Sequence, residues 1–464
     1  MSNATEKIGN YRWTVVGLLL FATTVNYMDR NVIGYLKDYF CSEEGFNWTP
    51  QMYSYLTSAF TAFYAGFTLV AGWIIDKLGT KIGLAASLIV WSLAGILSAF
   101  MGKGLPAHIA ARSLFGMGEA GNFPASNKTV AEWFPKKERA LAVGIFNSGS
   151  NMGAMICALF VPWCLLMWNS DTLFFGLFHG WQMAFIITGL VGFLWLIFWG
   201  LYYMSPRKAL EKGKMKQSEY DYIHMDDAET ASTKPEQDEV VGKANKVSWF
   251  QMLTYRQTWA FVAGKLLTDG IWWFLLFWLP TYVKQTFCVG LDKATTAEYV
   301  MVSNFIVFGI AIIGSVYGGA IPLSFINKGW KPYKARMTAM LLIACCPVLL
   351  LSTQFMAGHF GIVAAIGVIC IGAAAHQAWS ANLFTTVSDM FPKKAVGTVT
   401  GIGAAVGGLG GVLVQLLAGA LDGSESLSTT QAYGIMFSLC AFAYLIAWAI
   451  MKWLVPQHKP ITDL

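Results

Sequence analysis

Glu132-Trp133-Phe134-Pro135-Lys136-Lys137 returns 257 residues later as Asp389-Met390-Phe391-Pro392-Lys393-Lys394. Each hexapeptide closes one apolar run and opens the next. The same offset aligns Gly144-Ile145 with Gly401-Ile402, and Gly153 with Gly410. Chance gives one shared Phe-Pro-Lys-Lys; at matching places before two Gly-rich runs it marks an internal repeat. Outward from these points, apolar runs each long enough to cross a hydrocarbon core recur near 12–37, 50–75, 81–102, 105–132, 138–166, 179–203, 256–285, 297–326, 332–353, 359–390, 395–420 and 430–455. The polar stretch Ser205–Tyr255, rich in Lys, Glu and Asp and without apolar periodicity, divides them six and six and reads as a linker. The expected fold is an all-α membrane protein of twelve transmembrane helices. A six-helix bundle over 1–204, a cytoplasmic linker over 205–255 and a second six-helix bundle over 256–464 form a parallel repeat.

Composition agrees. Of the 464 residues 56% are hydrophobic and 12% charged, with mean hydropathy +0.51; a soluble chain carries about 25% charge. Nineteen Trp and thirty-two Phe suit lipid-facing and interfacial surfaces. The net charge of +6 gathers into no patch or arm, so no nucleic-acid partner is expected. The eight Cys show neither C-x-x-C nor the spacing of a zinc site, and no metal or other cofactor is expected. No G-x-x-x-x-G-K-[ST] occurs, which removes ATP drive by this chain, and no nucleophile–base pair marks an enzyme. With both termini inside, twenty-four Lys and Arg fall on inside segments. Only Lys37, Lys103, Lys284 and Lys293 fall outside, so both ends are expected in the cytoplasm. A monomer in contact with membrane lipid is expected.

The four remaining basic residues, Arg30, Arg112, Lys128 and Lys265, lie within spans. Lys128 is one turn from an inside end and snorkels. Arg30 follows Asp29 in the first span, and Arg112 precedes Glu119 by seven residues in the fourth. Two turns put Arg112 and Glu119 on one stripe, about 10 Å apart. Charges this deep persist where they pair or line a wet path, and these four are expected to meet near mid-membrane. Two guanidiniums suit a carboxylate cargo. Two acids suit proton coupling, because burial and a neighbouring cation pull a carboxyl's proton affinity in opposite directions. The alternative is a pair of structural ion pairs that fix helix packing.

Around them, Asn147, Ser150 and Asn151 form a polar, cargo-facing patch in the fifth span, while Gly149 and Gly153 have the spacing of helix packing. Trp272, Trp273 and Trp379 are candidate walls for a sugar ring, or packing residues. Lys265 and Asp269, one turn apart, either pair with each other or gate substrate. The repeat offset aligns His376 with Glu119, near the centre, where it binds hydroxyls, carries a proton, or simply packs.

Several stretches resemble one known family. Gly72-Trp-Ile-Ile-Asp76-Lys77-Leu-Gly79-Thr-Lys81 is similar to the G-x-x-x-D-[RK]-x-G-x-[RK] loop motif of the major facilitator superfamily. Gly118-Glu119-Ala-Gly121-Asn-Phe-Pro124-Ala125, followed by Trp133-Phe-Pro135 and Glu138-Arg139, resembles the anion:cation symporters within it. Those include hexuronate, galactonate, glucarate and phthalate carriers. The resemblance runs from the first span to the twelfth and implies the major facilitator fold. It also implies that Asp29 and Glu119 couple protons, that Arg30 and Arg112 bind carboxylate, and that Tyr27 and Tyr64 approach the cargo. His376, Trp379, Ser380 and Asn382 would add contacts from the tenth span. Asp76 would latch an inside gate, with Lys77 and Lys81 in the same motif. The chain departs from the pattern at Gln182, where Arg is common, and at Ile326-Asn-Lys328-Gly-Trp330, which lacks the loop Asp.

The expected function is proton-coupled import of a sugar-acid anion by alternating access in a bacterial inner membrane. Tyr27-Met-Asp29-Arg30 and the run Trp272-Trp273 through Trp278-Leu-Pro280 lean toward hexuronate (glucuronate or galacturonate) carriers. The alternatives are an aldonate such as galactonate or another organic anion, with sodium in place of the proton. From another class comes a transporter-like sensor of the same anion that signals through Ser205–Tyr255.

Overall fold

The structure is a computed structural model that describes residues 8–168, 178–225, 249–391, 393–457 and 461. The side chains at 76, 136, 137, 139, 140, 316, 388, 389, 393 and 394 lie outside that description. Regular structure among the described residues is helical throughout. The first half holds α1 (Tyr11–Cys41), α2 (Pro50–Ser98), α3 (Leu105–Glu119), α4 (Asn122–Trp133), α5 (Lys136–Met167) and α6 (Gly180–Tyr202). Short helices α7 (Pro206–Glu211), α8 (Gln217–Ile223) and α9 (Trp249–Met252) follow. The second half holds α10 (Arg256–Phe287), α11 (Lys293–Asn327), α12 (Pro332–Cys345), α13 (Thr353–Met390), α14 (Lys393–Asp422) and α15 (Thr429–Leu454).

Nine helical stretches among the described residues are long and apolar enough to cross a membrane. Three further spans follow from why the others fall short. Pro332–Val387 is 56 residues of continuous helical winding, which at about 1.5 Å per residue is far more than one crossing. It reverses at Gly361, whose φ of +77° only glycine adopts without strain. Gly79, also at φ +77°, makes the corresponding turn inside α2. α1 carries Asp29 and Arg30 in its apolar run. The fourth span, expected as one helix over 105–132, is broken between Glu119 and Asn122 into α3 and α4. Outward faces carry large apolar side chains such as Ile82, Leu201, Tyr317 and Val363, as a lipid-bathed surface requires.

Caps fix several helix ends. Thr49 accepts from the Met52 amide at 3.2 Å ahead of Pro50, and Asp292 accepts from Ala294 and Thr295 at the start of α11. Gln182, the departure from the family pattern, caps α6 through the His179 amide at 2.9 Å. Its amide also donates to the Ala99 carbonyl at the end of α2, again at 2.9 Å.

The expected featureless linker is structured at its start. Glu219 of α8 accepts from the Tyr11 and Arg12 amides at 3.2 and 3.0 Å, capping α1. Arg12 in turn pairs with Glu219 at 3.2 Å and with Glu138 of α5 at 3.0 Å. Residues 226–248 of the expected linker lie outside the described residues.

The halves meet along α2 with α14, α5 with α11 and α1 with α10. At the end away from the termini the contact is tight. Lys37, expected in an exterior loop, is buried beneath the end of α1, where it donates to Asp422 at 2.6 Å and sits 4.2 Å over the Trp278 ring. Lys284 pairs with Asp38 at 3.5 Å and Lys293 with Glu44 at 3.2 Å. Gln415 accepts from Trp278 Nε1 at 2.5 Å and from Thr57 Oγ1 at 3.2 Å, and donates to the Trp273 carbonyl at 3.1 Å. This end is shut.

Candidate functional site

Between the halves lies a cavity of about 740 Å³, within the range that takes a small ligand. It runs from Arg30, Trp272 and His376 at mid-depth to Gly72, Trp249 and Gly401 near the end that carries the termini.

Among the described residues Arg30 is the one arginine that lines the cavity. Its Nε donates to Glu119 Oε2 at 2.9 Å, and Nη2 lies 3.5 Å from Asn26 Oδ1. Its guanidinium carbon stands 4.4 Å from the Tyr27 ring, 4.6 Å from Tyr64, 5.1 Å from Trp273 and 5.5 Å from Phe60. Four aromatic faces and one carboxylate hold the cation from three helices of the first half and one of the second. Glu119 is fully buried, and its Oε1 has no hydrogen-bond partner among the described residues. It closes α3, where Gly116 and Gly118 let that helix press on α2: a Cβ at Gly118 would lie 2.6 Å from the Trp91 amide.

The expected quartet therefore splits. Asp29 and Arg112 do not line the cavity, and neither does Glu119. Successive residues of a helix point about 100° apart, so α1 turns Arg30 to the cavity and Asp29 away from it. Asp29 is buried beside Arg112, Thr188 and Trp91, and among the described residues no donor reaches either oxygen in good hydrogen-bond geometry. The two turns that put Arg112 on one stripe with Glu119 also carry it about 10 Å nearer the shut end. There its guanidinium lies 4.8 Å from Phe115 and 5.1 Å from Phe185. Its Nε and Nη2 find no acceptor among the described residues.

In the second half Trp272 and His376 line the cavity as a parallel stack, 5.1 Å apart and 8° from coplanar. His376 Nδ1 hydrogen-bonds the Tyr444 hydroxyl at 2.8 Å. Ser380 lines the wall beside it; Trp379 and Asn382 do not. Trp379 is buried edge-on to Tyr444 at 5.6 Å, and Asn382 donates to the Gly318 and Ala378 carbonyls at 2.8 and 2.9 Å, joining α13 to α11. On α5, Asn147 and Ser150 reach the cavity, whereas Asn151 is buried behind them. Lys265 and Asp269 pair at 2.6 Å and both line the cavity.

Of the residues expected at the gate, Lys77 and Lys81 do not line the cavity. Asp76's side chain is outside the description. Lys77 covers the Trp73 ring at 4.0 Å, and Lys81 reaches the Gly200 carbonyl at 3.4 Å within the same half. Sequence reasoning passed over Gln377 in the cavity, Phe60 buried against Arg30, and Gln415 and the Lys37–Asp422 pair at the shut end. Gln415 alone carried a readable signal, a lone amide in an apolar run.

The description of the Major Facilitator Superfamily matches residues 19–415. The hexuronate transporter of Escherichia coli strain K12 is 30% identical over 459 residues, 99% of this chain and 97% of that one. The galacturonate transporter of Dickeya chrysanthemi is 32% identical over 321 residues, 69% of this chain and 84% of that one. Among solved structures, an inward-facing bacterial homolog of the human lysosomal transporter Spinster aligns with a TM-score of 0.73 at 16% identity, over 99% of this chain and 100% of that one. With twelve spans, two halves around a central cavity and a family match across most of its length, the chain belongs to the Major Facilitator Superfamily and is a multi-pass membrane transporter, not an enzyme.

Proposed function

We propose that the protein imports a sugar-acid anion, foremost a hexuronate, together with a proton across a bacterial inner membrane. The observation that carries this reading is Arg30: a buried guanidinium on the cavity wall, fixed by one carboxylate and four aromatic rings. Such a group recognises a carboxylate through its planar fork. The rings of Tyr27, Trp272 and Trp273 offer apolar faces for a sugar ring beside it. The relatives named for hexuronate and galacturonate transport support the cargo class.

Coupling follows from charge balance. One guanidinium in a dry site does not neutralise two carboxylates. When the cargo's carboxylate takes Arg30, Glu119 loses its only ion pair among the described residues, and a proton on Glu119 restores neutrality. Asp29, buried off the cavity beside Arg112, is the second proton site; it answers to Arg112 and not to the cargo directly. With both termini in the cytoplasm, the cavity opens inward and the Lys37–Asp422 end is the closed outer gate.

The test is uptake of labelled galacturonate, glucuronate and galactonate into proteoliposomes, with and without an inward proton gradient. Accumulation that needs the gradient and collapses with a protonophore is expected, with Glu119→Gln retaining exchange but losing accumulation. Gradient-independent accumulation, or normal accumulation by Glu119→Gln, would refute the coupling.

A further inference from the structure

Asp269 is a carboxylate on the wall of a cavity read here as a site for anions, which calls for a reason. It sits on α10 one turn before Trp273, the ring that stacks on Arg30 at 5.1 Å, so it lies about 6 Å along the axis from that contact. Lys265 Nζ holds Asp269 Oδ2 at 2.6 Å. The lysine is itself seated 4.7 Å over the Phe384 ring. The Asp269 side chain keeps 18% of its surface exposed, and since it lines the cavity that surface faces the cavity. Its Oδ1 takes no hydrogen bond from the described residues. Across from it, α14 presents Gly407, where a Cβ would run into the carboxylate. The position is built to hold a carboxylate, with its charge balanced and one oxygen left open.

From this geometry we infer that the Lys265–Asp269 pair is the hydroxyl-recognition subsite of the cavity. Asp269 Oδ1 accepts from the cargo's ring hydroxyls while Arg30 holds its carboxylate. The inference rests on the transport reading above and sharpens it to a substrate class. A charge-balanced carboxylate is a strong acceptor for a neutral polyol end and repels a second carboxylate. The site therefore selects mono-anionic polyhydroxy acids over dicarboxylic sugar acids. Gln377 and Ser380, on the same wall, supply neutral donors and acceptors around that end. Lys265 acts through Asp269, as its positioning and neutralising partner.

The experiment is equilibrium binding to purified full-length protein, with galacturonate, galactarate and cyclohexanecarboxylate as competing probes. Wild type is expected to prefer galacturonate to both others. Asp269→Asn should weaken galacturonate about tenfold to a hundredfold, the loss of one charge-assisted hydrogen bond. It should leave cyclohexanecarboxylate within about threefold, a difference of under about 0.7 kcal/mol, and narrow the preference over galactarate. Lys265→Gln should weaken all three acids by exposing an unbalanced negative charge. Lys265→Gln/Asp269→Asn should restore cyclohexanecarboxylate but not galacturonate. Equal losses for galacturonate and cyclohexanecarboxylate in Asp269→Asn, no loss for galacturonate, or a wild type indifferent to hydroxyls would each overturn the subsite. If Lys265→Gln does not fold, the near-isosteric Asp269→Asn decides alone. Arg30→Gln separates the two readings: unchanged binding there sinks the carboxylate site, while the Asp269 comparison is still read between hydroxylated and bare acids.

Discussion

At the scale of single residues, Arg30 and Arg112 look alike in sequence, each a deep arginine near an acid, and the structure separates them. Arg30 has a carboxylate at 2.9 Å and a place on the cavity wall, whereas Arg112 has aromatic rings and two nitrogens without a partner among the described residues. Removing Arg30 alone strands Glu119 as a buried unpaired acid, so Arg30→Ala should destabilise the fold by about 3–5 kcal/mol. Arg30→Ala/Glu119→Gln should recover most of that in thermal unfolding, yet still bind no carboxylate. Arg112→Gln should leave affinity within about threefold, under about 0.7 kcal/mol, and act on transport rate instead. A tenfold loss of affinity would put Arg112 back in the site. The sequence could announce that four charges lie deep, because apolar surroundings make them conspicuous. It could not say which face of α1 each occupies, since Asp29 and Arg30 are adjacent and only the packing of neighbouring helices decides which of them meets water.

Among the helices, glycine placement divides packing positions from indifferent ones. Gly149 and Gly153 of α5 lie against the backbone of α1: a Cβ at Gly149 would stand 2.7 Å from the Leu20 carbonyl, and one at Gly153 would run into that of Thr24. Val at either position must push α1 and α5 apart, costing about 1–3 kcal/mol or more, and with them the registry of Tyr27 and Arg30. Gly66 of α2 has nothing within 4 Å, so Gly66→Ala should fall within about ±0.5 kcal/mol or stabilise slightly. Thermal unfolding in detergent compares the three variants; a Gly153→Val as stable as wild type would remove the contact from the fold's requirements. The four-residue spacing of Gly149 and Gly153 made this packing readable in advance. The break after Glu119 was not readable, because Ala120 and Gly121 interrupt nothing in the apolar pattern. The docking of α8 on α1 through Glu219 was hidden in a stretch whose composition looked uniformly polar.

For the whole molecule, the repeat of Phe-Pro-Lys-Lys made the two halves legible, since duplication leaves marks that packing does not erase. The conformation was not legible, because alternating states share one sequence and differ by small energies. What holds this one is the shut end. Lys37 and Asp422 bridge the halves at 2.6 Å with both side chains buried, and Trp278, Tyr53 and Gln415 seal the pair. Lys37→Met leaves Asp422 without its buried counter-ion, a cost of about 3–5 kcal/mol in the closed arrangement that is relieved once the end opens to water. Every 1.4 kcal/mol is a tenfold change in population, so even half of that cost moves the equilibrium by more than tenfold toward the state open at this end. Spin labels at the exposed Glu43 and Glu425, one on each half beside the pair, read the change directly. The short-distance population should give way to a longer one in Lys37→Met, and Lys37→Met/Asp422→Leu, which removes the stranded charge as well, should return toward the wild-type distribution. An unchanged distance in the single variant would mean that aromatic packing around Trp278, and not the ion pair, keeps this end closed.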